Sequence, residues 1–84
     1  MIKNVYCLRN KKLGFWNPPF YVEGLKEDVV ENHVRAIRSG QFGVDIHIEE
    51  FDLYYLGTFD DKTAKLEVAD PEFLIAFDSV VANA

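Results

Sequence analysis

Glu49-Glu50-Phe51-Asp52-Leu53-Tyr54-Tyr55-Leu56-Gly57-Thr58-Phe59-Asp60-Asp61-Lys62-Thr63 combines a long strand pattern with a turn and sets the architecture of the chain. Phe51, Leu53, Tyr55 and Phe59 fall on one side of an extended segment, and Asp52, Thr58 and Asp60 on the other. That two-residue period is the mark of a half-buried strand. Gly57 interrupts an otherwise bulky run, which predicts a bulge or the close approach of another backbone. The turn-forming group Asp60-Asp61-Lys62-Thr63-Ala64 then reverses the chain into a second strand. In that partner, residues 65–68, the alternation places Ala64, Leu66 and Val68 inward and Lys65 and Glu67 outward.

Working outward, residues 2–10 read as a strand with Ile2, Tyr6 and Leu8 on one side and Lys3, Val5, Cys7 and Arg9 on the other. Neither side is cleanly polar, so both are expected to be covered, one of them by a partner subunit. Asn10-Lys11-Lys12-Leu13-Gly14 suits a hairpin turn into Phe15 and Trp16. Pro18 and Pro19, lacking donors, end that strand or confine it to an edge, and Phe20-Tyr21-Val22 resumes an extended path. From Leu25 to Ser39 the apolar positions Leu25, Val29, Val30, Val34 and Ile37 recur at helical spacing. Acids near the start, Arg35 and Arg38 near the end and a following Gly40 complete an amphipathic helix. At the other end, Asp70-Pro71-Glu72 resembles a helix start, with Phe73, Leu74, Phe77, Val80 and Val81 forming its apolar stripe. The predicted order is strand, strand, helix, strand, strand, helix. This is a single α+β domain over residues 1–84, ββαββα, a small antiparallel sheet with two helices packed on one face.

A chain of 84 residues has a thin core. With 49% hydrophobic residues it is nonetheless too apolar to remain a disordered tail. Seven Phe, four Tyr and one Trp exceed what so small an interior holds. The excess predicts an oligomeric interface, a homodimer before larger forms, or a surface on which a ligand stacks. The lone Cys7 excludes an internal disulfide and a cysteine-based zinc site, and implies a reducing compartment. No signal-length or bilayer-length apolar run is present, so a soluble protein with no membrane partner is expected. Net charge is −5, but residues 1–22 carry Lys3, Arg9, Lys11 and Lys12 and no acid. The overall acidity opposes wholesale phosphate binding, while the basic N-terminal hairpin retains a local version.

Enzyme signatures are nearly absent, and the chain reads as non-enzymatic. Gly14, Gly24, Gly40, Gly43 and Gly57 compose neither a dinucleotide fingerprint nor a P-loop, and Ser39 and Ser79 lack a nucleophile context. His47 and Glu49 form an H-x-E without the cysteines of a zinc deaminase, so no metal and no cofactor is expected. Asp60 and Asp61 are turn formers rather than a calcium loop. What remains is the hairpin bearing Lys3, Tyr6, Arg9, Lys11, Lys12, Phe15 and Trp16. Positive charge beside aromatic platforms is the combination that binds single-stranded nucleic acid. The competing reading makes Tyr6, Phe15 and Trp16 core or interface residues and the lysines guards of a sheet edge.

The letters from Phe51 to Thr63 resemble the central motif "DFDLYxLGxFDxxTG" of a small nonstructural protein of microviruses, the single-stranded-DNA phages, especially the gokushovirus branch. The opening "VYCLRNKKLGF" is similar to that family's "YxIRDxKtGxF", and His47 to Tyr54 is similar to "HPxDFxLY". Ile48 stands where the family has proline, Ala64 where it has glycine, and Asn17-Pro18-Pro19 matches only partly. Val44, Ile46 and Ile48 alternate like a strand, yet the resemblance places a loop or a single helical turn at His47 to Glu50. It also implies a phage protein of the host bacterial cytoplasm that assists viral DNA replication or single-strand synthesis, with no catalytic residues. Two functions follow as expectations: contact with single-stranded DNA through the hairpin, or an acidic module using Glu49, Glu50, Asp52, Asp60 and Asp61 to engage a viral replication initiator or a host replication protein.

Overall fold

The structure, a computed structural model, describes residues 1–42 and 47–82. Strand β1 (Ile2–Asn10) lies in the sheet interior. On one side it pairs antiparallel with β2 (Phe15–Trp16) at its C-terminal end and with β3 (Phe20–Val22) at its N-terminal half. β2 and β3 are thus two pieces of one edge, broken at Asn17-Pro18-Pro19 because proline cannot donate to a ladder. On its other side β1 pairs along its length with β4 (Phe51–Asp60), which pairs in turn with β5 (Lys65–Ala76), giving the order β2-β1-β4-β5. Helix α1 (Lys26–Arg38) follows β3, a 3-10 turn at Ile48–Glu50 leads into β4, and α2 (Phe77–Ala82) closes the chain. The fold is the expected α+β arrangement, and the single helical turn before β4 is present. Of the strand-like alternation ahead of it, Val44 and Ile46 lie outside the described residues.

The core sits between the helices and one face of the sheet. Tyr6, Val29, Leu53 and Phe77 are buried together, with Leu8, Phe20, Val22, Tyr55, Leu74 and Ile75 packed around them. Fully burying Leu53 and Phe77 stabilises the fold by about 1.5–3 kcal/mol each. His33 of α1 lies against both Phe20 and Phe77, at 5.8 and 5.9 Å between ring centres. Its Nδ1 donates to the Val29 carbonyl at 2.8 Å, which fixes the tautomer because a carbonyl only accepts. α1 starts from Leu25, whose extended backbone carries no side-chain cap, and stops at Ser39 before Gly40 at φ 74°.

Both hairpin turns use one device. Gly14 N–H donates to the Asn10 carbonyl and Ala64 N–H to the Asp60 carbonyl, each at 2.8 Å. The Asn10 and Asp60 side chains each accept a further backbone N–H inside their turn. The fifth residue is left-handed in both, Gly14 at φ 77° and Ala64 at φ 60°. Only the first of these suits its residue.

Three expectations are corrected. First, β4 does not keep one alternation: the register shifts between Val5 and Tyr6, leaving Leu56 unpaired between Tyr55 and Gly57. Tyr55 therefore meets Tyr6 on the helix side, while Phe59 meets Tyr21 on the opposite side. Second, Leu66 and Val68 pair with Phe59 and Gly57, so they share that open side and are exposed rather than inward. Third, no helix begins at Pro71; β5 runs on to Ala76 and α2 starts at Phe77. Pro71 is accommodated because Ala69-Asp70-Pro71 bulges opposite Leu56 on an edge strand, where no ladder donor is required. A further shift at Leu53/Tyr54 puts consecutive Leu74 and Ile75 both against the core.

Candidate nucleic-acid interface

Cross-strand partners point to the same face, so the register defines what the helix-free face carries. Arg9 opposite Trp16, Cys7 opposite Tyr54 and Tyr54 opposite Phe73 set one row across the sheet. The Arg9 guanidinium lies 5.5 Å from the Trp16 ring centre. Trp16 meets Tyr54 edge-to-face at 4.8 Å, and Tyr54 meets Phe73 likewise at 5.7 Å. Nearer the hairpin tip, Tyr21 and Phe59 make a second aromatic pair at 5.5 Å, beside Lys3, the register partner of Phe59. Trp16 is 44% exposed, Tyr21 48% and Phe73 53%. Neither Lys3 nor Arg9 is ion-paired among the described residues. Aromatic rings, Lys3 and Arg9 thus share one surface, and Asp52, the register partner of Arg9, lies on the same side paired to Lys11.

The residues picked out in the sequence divide. Lys3, Arg9 and Trp16 share the open face, with Arg9 beside Trp16 and Lys3 at the other end of β1 beside Phe59. Tyr6 does not: it is fully buried on the helix side, in ring contact with Phe20 and Tyr55, and offers no stacking surface. Burial pushes its phenol upward from the ordinary value. Phe15 is the register partner of Asn10 and so faces away from Trp16, although it is exposed. Lys11 is committed to two carboxylates, Asp52 and Asp78, each at 2.9 Å. Burial pulls its ammonium down, but the bonds to Asp78 and Asp52 outweigh that and hold it above its ordinary value. Lys12 reaches Glu50 at 3.4 Å. These two lysines tie the first hairpin to α2 and to the start of β4 instead of standing free.

Tyr21, Tyr54, Phe59 and Phe73 belong to the face and escaped sequence reasoning. Phe59 was hidden by the Leu56 bulge, and Phe73 by the helix-like reading of Asp70-Pro71-Glu72. Tyr54 was legible, since it alternates with core-facing Leu53 and Tyr55.

Other polar groups are occupied locally. The Asn10 amide donates to Glu50 at 3.2 Å and, with Lys12, holds that carboxyl below its usual range. The α-amino group of Met1 donates to Asp61 and lowers its carboxyl. The buried Cys7 thiol donates to the Asn17 carbonyl at 2.8 Å, and burial raises its pKa. His47 and Glu49, both exposed, approach to 3.6 Å. The Ser39 and Ser79 hydroxyls donate to main-chain carbonyls. Among the described residues no group of three or more His, Cys, Asp or Glu is placed to hold a metal ion, and no helix is long and apolar enough to cross a membrane.

These features define a two-layer α+β domain whose helices cover one side of an antiparallel sheet and whose other side is an open aromatic face. The family model described as phage ORF5 protein matches residues 3–80, and the chain belongs to that phage protein family. No curated protein and no solved structure matches the chain.

Proposed function

We propose that this phage protein is a nonstructural protein of the microviral, gokushovirus-like kind that assists viral DNA replication or single-strand synthesis in the bacterial cytoplasm by holding single-stranded DNA on its open sheet face. The observation that carries the reading is the row Arg9, Trp16, Tyr54 and Phe73 on the face without helices. Bases stack on such rings at about 1–3 kcal/mol each, and every base has a face to offer, so the expected recognition is tolerant of sequence. Asp52, Asp78 and Glu50 are occupied by Lys11 and Lys12, so Arg9 and Lys3 are the cations left on the open face to meet phosphates. The binding is non-enzymatic.

Anisotropy of a labelled fifteen-nucleotide oligothymidine in low salt tests it. Binding in the micromolar range is expected, with Trp16→Ala and Phe73→Ala each weakening it by about 5-fold to 100-fold. Arg9→Gln should reduce the slope of log affinity against log salt by about 0.7, the value for one phosphate contact on a single strand. No binding at tens of micromolar protein, or binding indifferent to both aromatic variants, removes the proposal.

A second reading has one observation in its favour. A groove of about 420 Å³ between α1 and β5 is lined by Val30 and Leu74, with Glu27 and Glu31 beside them and Lys26 paired to Glu72 at 3.3 Å. Such a groove suits a basic, amphipathic segment of a viral replication initiator or host replication protein. Capture of that partner by wild type but not by Glu27→Lys/Glu31→Lys, unaffected by nuclease, would favour it over DNA binding.

A further inference from the structure

The two edges of the sheet are unlike. One is split by Pro18-Pro19 into β2 and β3, while the other is β5, whose residues 65–68 are exposed and contain no proline. An uncovered edge strand carries unpaired backbone groups that template another strand. Lys65 and Glu67 lie on one side of this segment, 3.1 Å apart, and Leu66 and Val68 lie on the open face at 51% and 63% exposure.

We propose that β5 pairs antiparallel with β5 of a second copy of this chain, about a two-fold axis through Leu66 normal to the sheet. In that register Lys65 faces Glu67 of the second copy, Glu67 faces its Lys65, and Leu66 faces Leu66, so every charge meets its opposite. Registers centred on Lys65 or on Glu67 set like charges against each other, and one centred on Val68 sets Leu66 against Asp70. Directly opposed like charges destabilise an antiparallel pair and opposed unlike charges stabilise it, which selects the Leu66 register. The bulge at Ala69-Asp70-Pro71 bends the strand and ends the pairing there. The axis leaves both open faces on the same side, joining them into one surface with Leu66 and Val68 of both copies at the seam. Five paired residues of each chain, 64–68, bury less than the roughly 1,000 Å² of a permanent interface, so the dimer is reversible and concentration-dependent.

The test uses the full chain without DNA, so its outcome is separate from that of the nucleic-acid reading. Under mild oxidation Leu66→Cys should form a covalent dimer readily, because opposed residues of an antiparallel pair lie within disulfide reach. Val68→Cys, facing Ala64 instead of itself, should not, and Cys7 is buried. In sedimentation, Lys65→Glu or Glu67→Lys should weaken self-association about tenfold and the double exchange should restore it. All four positions are exposed, so each variant is expected to keep the wild-type circular dichroism spectrum. Equal cross-linking at positions 66 and 68, or a double exchange that stays as weak as the single variants, overturns the proposal.

Discussion

Replacing Gly57 with alanine should loosen the sheet where its two faces are sorted. A Cβ at this position would lie 1.9 Å from the Glu67 carbonyl oxygen and 2.9 Å from both the Glu67 carbonyl carbon and Val68 Cα. All three are backbone atoms, so no rotamer change relieves the clash, and β5 must move away from β4 by more than 1 Å to reach ordinary contact. Overpacking of this kind costs about 1–3 kcal/mol. The backbone stands at φ 156°, at the limit of what side-chain-bearing residues adopt, and adds to that. The sum, roughly 2–4 kcal/mol, is a large share of the 4–13 kcal/mol expected for a domain of this length. Urea unfolding followed by far-ultraviolet circular dichroism and by Trp16 fluorescence measures it. With a slope near 1 kcal/mol per molar for so small a domain, the midpoint should fall by about 2 M or more. A fall below about 0.5 M would refute the close approach of β5 at Gly57, and with it the bulge that turns Phe59 onto the open face.

Ala64→Gly should act in the opposite direction. The left-handed conformation costs alanine about 1–2 kcal/mol, glycine's extra unfolded-state freedom returns part of that, and a net gain of about 0.5–1 kcal/mol is expected in the same urea assay. Acid should destabilise the fold through Asp78, held low by Lys11, Glu50, held low by Asn10 and Lys12, and Asp61, held low by the Met1 amino group. Because these folded-state values lie below the unfolded ones near 4, their contribution is complete above about pH 5 and is lost as pH falls through the depressed values. Lys11→Met should flatten that acid limb, and a urea midpoint profile from pH 6 to 2 that is unchanged by the substitution would contradict the pairing.

How much of this was legible in the letters depends on whether a local signal agreed with its surroundings. The first helix, both turns and the special status of Gly57 were readable because the apolar period, charge bias and terminating Gly40 agree at 25–40, and turn chemistry agrees at 10–14 and 57–64. The open face was read only in part. Alternation predicts sides correctly until a bulge resets it, and nothing in Leu56 itself marks it as the unpaired residue. Asp70-Pro71-Glu72 carries true helix-start chemistry, and was overridden because an edge strand admits proline at a bulge. Tyr6 lies between Lys3 and Arg9 in the chain, yet in a strand a residue's face is set by parity, and parity places Tyr6 with Leu8 under the helices. The aromatic excess over the interior's capacity was visible from composition, and its location was not.

Nuclear magnetic resonance of the isotope-labelled chain, titrated with a short oligothymidine in low salt, distinguishes the open face from the rest of the molecule as the site of DNA contact. The resonances expected to move are those of Arg9, the Trp16 indole N–H, and the rings of Tyr54 and Phe73, with Val29, His33 and Phe77 on the helix side unmoved. Shifts concentrated on the α1 side, or on Lys11 and Lys12 with the Trp16, Tyr54 and Phe73 signals unchanged, would contradict contact at that face.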